Sequence, residues 1–211
     1  MIYTYQNFIS STDIQQIRQK VYNLKDIYRP VTRLSDNCDY SSVCACTLGN
    51  AIYAHREIDN NINRIMKNTF ADLYQITIDR LKSIFNITNV YLFDFSVPGF
   101  HVFRGKELNE RVNNLHFHTD RSLLNHCVVD SSIVDEEFMY SFMTLIENTN
   151  DPSYLDLENN KHYYEHGDFN VWSAHVPHRI GASKFGDSDS RITYQGHIFK
   201  AKHSNCYYLY F

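Results

Sequence analysis

The sequence predicts a mainly β fold of the α+β class, a sandwich or barrel of short strands with a helical layer packed on one face. Two patterns carry this. Apolar residues recur at helical spacing only before about residue 86, and from about residue 90 they fall into short runs rich in Tyr, Phe, Val, Ile and Thr, separated by polar or Gly/Pro segments. A length of 211 residues with 43% hydrophobic and 21% charged side chains suits one globular unit. We therefore expect a single domain over 1–211, with a helical buttress over 1–89 and a strand-rich core over 90–211.

Each element has its own signal. Ser10, Ser11, Thr12 and Asp13 supply N-cap side chains ahead of Ile14, Ile17, Val21 and Leu24, which predicts a helix over 12–25. The segment 26–56 mixes Pro30, Ser35-Asp36-Asn37 and Ser41-Ser42 with scattered apolar residues and shows no period, so it reads as irregular with one short strand. From Glu57 to Phe85, Ile58, Ile62, Ile65, Met66, Phe70, Leu73, Ile78 and Leu81 predict one long or two joined helices. Strands are expected at Val90–Val97, His101–Arg104, Leu115–Thr119, Phe138–Ile146, Phe169–Val176, Arg191–Phe199 and Tyr207–Phe211. No internal repeat or linker divides the chain.

Charge and cysteine usage exclude several classes. Twenty basic against 24 acidic residues give a net charge of −4, so no global positive field attracts nucleic acid or an anionic membrane. The opening Met1–Gln6 lacks a basic and apolar leader pattern, and no apolar run reaches membrane-spanning length, so the expected location is cytoplasmic. Cys38, Cys44, Cys46, Cys127 and Cys206 are odd in number and lack paired CxxC spacing, which fits reduced thiols better than a disulfide framework or a four-cysteine zinc site. Asn86-Ile87-Thr88 matches a glycosylation pattern that means little without an export signal.

Eleven histidines invite a metal hypothesis, and spacing selects among them. In Asn114-Leu115-His116-Phe117-His118-Thr119-Asp120, alternation puts His116, His118 and Asp120 on one strand face and Leu115 and Phe117 on the other. A His nitrogen and an Asp oxygen from one strand leave a divalent metal in need of another protein donor, which non-haem iron(II) oxygenases take from a second His. The strand beginning at Gly167-Asp168 ends in His175 and His178, either of which completes the set. Further on, Arg191, Thr193, Gln195 and His197 share one face of a strand, with Ile192, Tyr194 and Ile198 on the other. An arginine inside a barrel suits a carboxylate, because its planar fork donates two parallel hydrogen bonds.

Taken together, His118-Thr119-Asp120, a distal His178 and Arg191-Ile192-Thr193 resemble the iron(II)- and 2-oxoglutarate-dependent oxygenases with a double-stranded β-helix (jelly-roll) core. Val97-Pro98-Gly99-Phe100-His101 and Arg191–His197 are similar in texture to their bacterial phytanoyl-hydroxylase-like members, and the likeness spans about residues 90–200. In that family a Gly-Asp pair opens the strand leading to the distal His, and the position of Gly167-Asp168 favours His178 over His175. The resemblance implies a facial triad of His118, Asp120 and His178 around Fe(II). It implies that Arg191 and Thr193 hold the distal carboxylate of 2-oxoglutarate, whose other end chelates the metal beside a position for dioxygen. The implied activity is that of an oxidoreductase: oxidative decarboxylation to succinate and carbon dioxide coupled to hydroxylation. The presence of Asp120 departs from the halogenases of the family.

The expected substrate is a small molecule or natural-product intermediate. The alternatives are hydroxylation of a peptide or protein side chain, and a non-catalytic jelly-roll binding module. His116 is expected near the metal without ligating it. His101, His126, His162, His166 and His203 are expected to be structural or exposed, Trp172 and the tyrosines to belong to the core, and Arg121 or Arg104 to be the basic groups available to an anionic substrate.

Overall fold

The computed structural model describes residues 2–30, 46–52, 55, 57–104, 117–120, 131–149, 154–157, 160–181 and 188–211. Along these the chain runs β1 (Ile2–Tyr5), α1 (Ser11–Asn23), β2 (Arg29–Pro30), β3 (Cys46–Leu48), α2 (Asn60–Thr69), α3 (Ala71–Phe85), β4 (Asn89–Leu92) and β5 (Gly99–Arg104). It continues through β6 (Val134–Asn148), β7 (Tyr154–Asp156), β8 (Lys161–Tyr163), β9 (Phe169–Ser173), β10 (Arg179–Gly181), β11 (Ser190–Ala201) and β12 (Cys206–Tyr210).

Helix boundaries follow local chemistry. The Ser10 hydroxyl accepts from the Asp13 amide and starts α1, and the Asp59 carboxylate accepts from the amides of Asn61 and Ile62 at the head of α2. The second helical region is two helices, broken at Phe70, whose buried ring packs on Phe100 with centroids 4.7 Å apart. Asn86 closes α3 with a φ of 53°, a left-handed cap that asparagine tolerates. That conformation is the structural role of the Asn-Ile-Thr tripeptide.

Among the described residues one sheet holds nine strands, in the order β1-β9-β6-β11-β5-β3-β2, with β12 joined to β11 and β4 to β12. A second sheet, β10-β7-β8, has three. The long central strands β6 and β11 pair antiparallel from Arg191 opposite Asn148 to Ala201 opposite Val134, with irregularities after Ile192 and after Phe199. Alternation along them separates two environments. Phe142, Ile146, Ile192, Tyr194 and Ile198 pack with Ile17 and Val21 of α1, Ile62 and Met66 of α2, and Leu73 and Leu81 of α3. The opposite face carries Ser141, Met143, Leu145, Arg191, Thr193 and His197, and part of it is covered by Leu155 of the small sheet and by Tyr164, just after β8.

The first 89 residues thus supply more than a helical buttress, because β1, β2 and β3 join the large sheet. β1 is tied to the core by the Gly167-Asp168 pair: the Ile9 amide donates to the Gly167 carbonyl, and the Asn7 amide to the Asp168 carboxylate, each at 3.0 Å. Gly167 has φ +78°, and a Cβ there would lie 2.4 Å from the Ile9 carbonyl oxygen, so the position requires glycine. The expected strand at Phe169–Val176 stops at Ser173 because the Val176 amide turns back to the Ser173 carbonyl. Of the expected strand at Leu115–Thr119, residues 117–119 are described, and they hold one bridge, between His118 and His178. No described helix is long and apolar enough to cross a membrane.

Candidate metal centre

That bridge builds the site. His118 and His178 exchange both backbone hydrogen bonds, at 3.0 and 2.9 Å, so their side chains leave the same side of a local antiparallel pair and the rings stand 4.6 Å apart. Two residues along the same strand, Asp120 points to the same place. His118 Nε2 is 3.7 Å from Asp120 Oδ1, and His178 Nε2 is 3.4 Å from Asp120 Oδ2. One donor atom from each residue lies within 4.8 Å of the others. Asp120 and His178 are buried, and His118 is a quarter exposed.

The donor chemistry suits a divalent cation. A carbonyl can only accept, so the 2.8 Å contact of His178 Nδ1 with the Val176 carbonyl puts a proton on Nδ1 and leaves Nε2, which faces Asp120, as the ring nitrogen able to ligate. Burial alone would raise the Asp120 carboxyl, but His178, His197 and His118, with the Ser141 hydroxyl, overcome it and lower the group to about 2. Two imidazoles and one carboxylate, all able to present lone pairs to one point, form the donor set of an octahedral metal that keeps positions open.

Around this point the structure adds partners from distant segments. The Ser141 hydroxyl donates to Asp120 Oδ2 and stands 3.0 Å from His197 Nδ1, which is itself 4.0 Å from the same carboxylate oxygen. Because the hydroxyl proton is committed to the carboxylate, His197 Nδ1 donates to Ser141. Burial, only partly offset by Asp120, lowers the His197 imidazole below its usual range. Arg179, next to His178, pairs with Asp156 through Nε (2.9 Å) and Nη2 (2.8 Å) and lies 4.6 Å over the ring of Phe117, next to His118. His175 is exposed, its Nε2 bonded to the Glu136 carbonyl, away from the cluster.

The polar row of β11 follows the same wall. Arg191 is 1% exposed, its guanidinium between the rings of Phe103 (5.2 Å) and Tyr164 (5.9 Å). Thr193 is fully buried and donates to Gln195 Oε1, and the Gln195 amide donates to His101, which lies opposite Thr193 on β5. Burial and the neighbouring Arg191 charge hold His101 well below the usual imidazole range, so it is neutral. Tyr164 feels both ends of the row: burial raises its phenol, Arg191 opposes this, and Asp120 adds to it.

The structure therefore brings His118, Asp120 and His178 together and puts Arg191 and Thr193 on the strand face that leads to them. Ser141, His197, Tyr164 and Asp156 are additional. His197 was within reach of sequence reasoning, since it shares the alternating row of Arg191; the other three carry no local signal. Arg104 is exposed at the end of β5, His162 bonds Asn170, and Cys46 lies in β3. His116, Arg121, His126, Cys38, Cys44 and Cys127 lie outside the described residues.

This architecture is the double-stranded β-helix fold of the Fe(II)/2-oxoglutarate oxygenases. HygX from Streptomyces hygroscopicus, solved with nickel and 2-oxoglutarate bound, aligns over 93% of this chain and 81% of its own with a TM-score of 0.50 and 11% identity. A Pseudomonas putida prolyl-4-hydroxylase aligns over 94% and 91% at TM-score 0.48 and 10% identity, and the α-ketoglutarate-dependent carbocyclase SnoK of nogalamycin biosynthesis over 94% and 81% at 0.49 and 10%. No protein-family model and no curated protein matches the chain.

Proposed function

We propose that this chain is an iron(II)- and 2-oxoglutarate-dependent dioxygenase that hydroxylates a small molecule. The observation that carries the reading is the convergence of His118, Asp120 and His178 within 4.8 Å at one end of a wall along which Arg191 is buried. HygX, which shares the fold, holds nickel and 2-oxoglutarate. In this reading His118, Asp120 and His178 hold the metal, and Arg191 with Thr193 holds the distal carboxylate of the 2-oxo acid. Iron(II) and 2-oxoglutarate, when bound, would supply oxidative decarboxylation by dioxygen, one oxygen atom going to succinate with loss of carbon dioxide and the other to a substrate C–H bond.

The chain's own groups do the rest. Asp120 stays ionised and contributes one negative charge; the His178 tautomer is fixed by Val176; Ser141 holds the carboxylate by hydrogen bonding. Arg191 offers a fixed positive charge in a water-poor setting, where a carboxylate is bound more strongly than at the surface. Burial of Asp120 and His178, with His118 as the partly exposed ligand, supports a small substrate over a broad peptide surface.

The test is anaerobic titration of the metal-free protein with iron(II) and then 2-oxoglutarate. A visible charge-transfer band is expected from the chelated 2-oxo acid, lost or weakened in Arg191→Ala, followed by succinate release on screening small molecules. Folded protein that takes up stoichiometric iron yet gives no band with the 2-oxo acid would overturn the assignment.

A further inference from the structure

Buried polar hydrogens in folded proteins almost always have an acceptor. Trp172 does not follow the rule. Its side chain is 6% exposed, its indole Nε1 is buried, and that N–H has no hydrogen-bond partner among the described residues. The indole lies at the metal centre. Trp172 sits on β9 directly opposite Ser141, the residue that holds Asp120, and its ring meets that of His178 edge-on with centroids 5.5 Å apart. It also packs in one cluster with Met143, Leu145 and Tyr164, and Tyr164 in turn flanks the Arg191 guanidinium. Trp172 therefore belongs to the wall that runs from the metal ligands towards the arginine.

We propose that the Trp172 indole N–H is a binding group of this site, donating to a carboxylate oxygen of the 2-oxo acid when that co-substrate is bound. The inference rests on the oxygenase reading above and deepens it. An indole nitrogen is a donor only, so it cannot ligate a cation or serve Arg191, and its partner has to be an acceptor brought in from outside. Along this wall that acceptor is an anion held between a metal and an arginine. Of the surrounding side chains, Leu145 and Leu155 carry no acceptor, Met143 only a weak thioether, and the Tyr164 hydroxyl is not bonded to the indole.

Trp172 is the chain's single tryptophan, which makes the test direct. A 15N-labelled sample gives one indole cross-peak in a proton–nitrogen correlation spectrum. It is recorded for metal-free protein, with Zn(II) as a diamagnetic stand-in, and with Zn(II) plus 2-oxoglutarate, while calorimetry follows each binding step. The indole proton is expected to move downfield on addition of the 2-oxo acid. Trp172→Phe, which keeps an aromatic ring and removes the N–H, is expected to weaken 2-oxoglutarate roughly fivefold while Zn(II) affinity stays within about twofold.

A peak that stays in place while calorimetry registers bound 2-oxoglutarate overturns the inference and leaves the oxygenase reading intact. A downfield shift complete with Zn(II) alone also overturns it, since the donor then serves metal-associated water. Failure of 2-oxoglutarate to bind the zinc-loaded wild type removes the oxygenase reading itself and this inference with it. The wild-type spectra decide the question even where the variant does not fold.

Discussion

Ser141 shows how much of the proposed metal site rests on a residue that is not one of its ligands. Its hydroxyl donates to Asp120 and accepts from His197, so it fixes both the carboxylate rotamer and the imidazole tautomer. Ser141→Ala is expected to weaken Zn(II) or Co(II) affinity roughly tenfold, measured by competition with a chromogenic chelator, and Ser141→Thr to restore most of it. Equal affinities for wild type and alanine variant would mean that the hydroxyl merely fills space. The sequence makes the pairs His118 and Asp120, and Arg191 and Thr193, legible because alternation along a strand puts each pair on one face. Ser141 and Trp172 were not legible, since their roles come from the pairing of β6 with β9 and from contact with a segment more than twenty residues away. Trp172 read alone is a core aromatic, and only an orphaned N–H in three dimensions distinguishes it.

Elements were legible in proportion to their length. α1, the α2–α3 region, β6 and β11 carry a sustained period, and each falls within a few residues of its expected range. β2, β7, β8 and β10 have two or three residues each, too few to show a period, and exist because a neighbouring strand completes their hydrogen bonds. Yet β7 and β10 set the proposed metal ligands. Asp156 on β7 lies opposite Arg179 on β10, and their ion pair, with Arg179 over Phe117, clamps the segments that carry His178 and His118. A half-exposed ion pair adds at most about 1 kcal/mol to global stability. Its larger effect is expected on metal affinity, through alignment of the bridge. Arg179→Ala and Asp156→Ala should each weaken Zn(II) several-fold, roughly, and the double variant should lose little more than either alone. Arg179→Lys should not rescue, because one ammonium cannot reproduce the Nε and Nη2 contacts. Fully additive losses in the cycle would refute the clamp.

At the scale of the whole molecule, the sheet separates two tasks: one face meets the helices through an apolar core, and the other concentrates buried imidazoles around an arginine and a carboxylate. That concentration dictates how the metal-free protein responds to acid. Burial, then the Arg29 charge, lowers the His55 imidazole to about 4, and burial and Arg191 act in the same direction on His101. In the unfolded chain these groups titrate near the usual ~6.5. Between about pH 6.5 and 4 the unfolded state therefore binds more protons than the folded state, and stability must fall as pH is lowered through that window. For His55 the full loss is on the order of 3 kcal/mol, or up to ~1.4 kcal/mol per pH unit. Urea denaturation of the metal-free protein at steps across this range should show the slope, and His55→Gln, which can still bond Thr47, should flatten it by up to one proton. An unchanged slope in that variant would mean that His55 takes up its proton as readily in the folded protein as in the unfolded chain, and that the Arg29 side of the barrel is open to water.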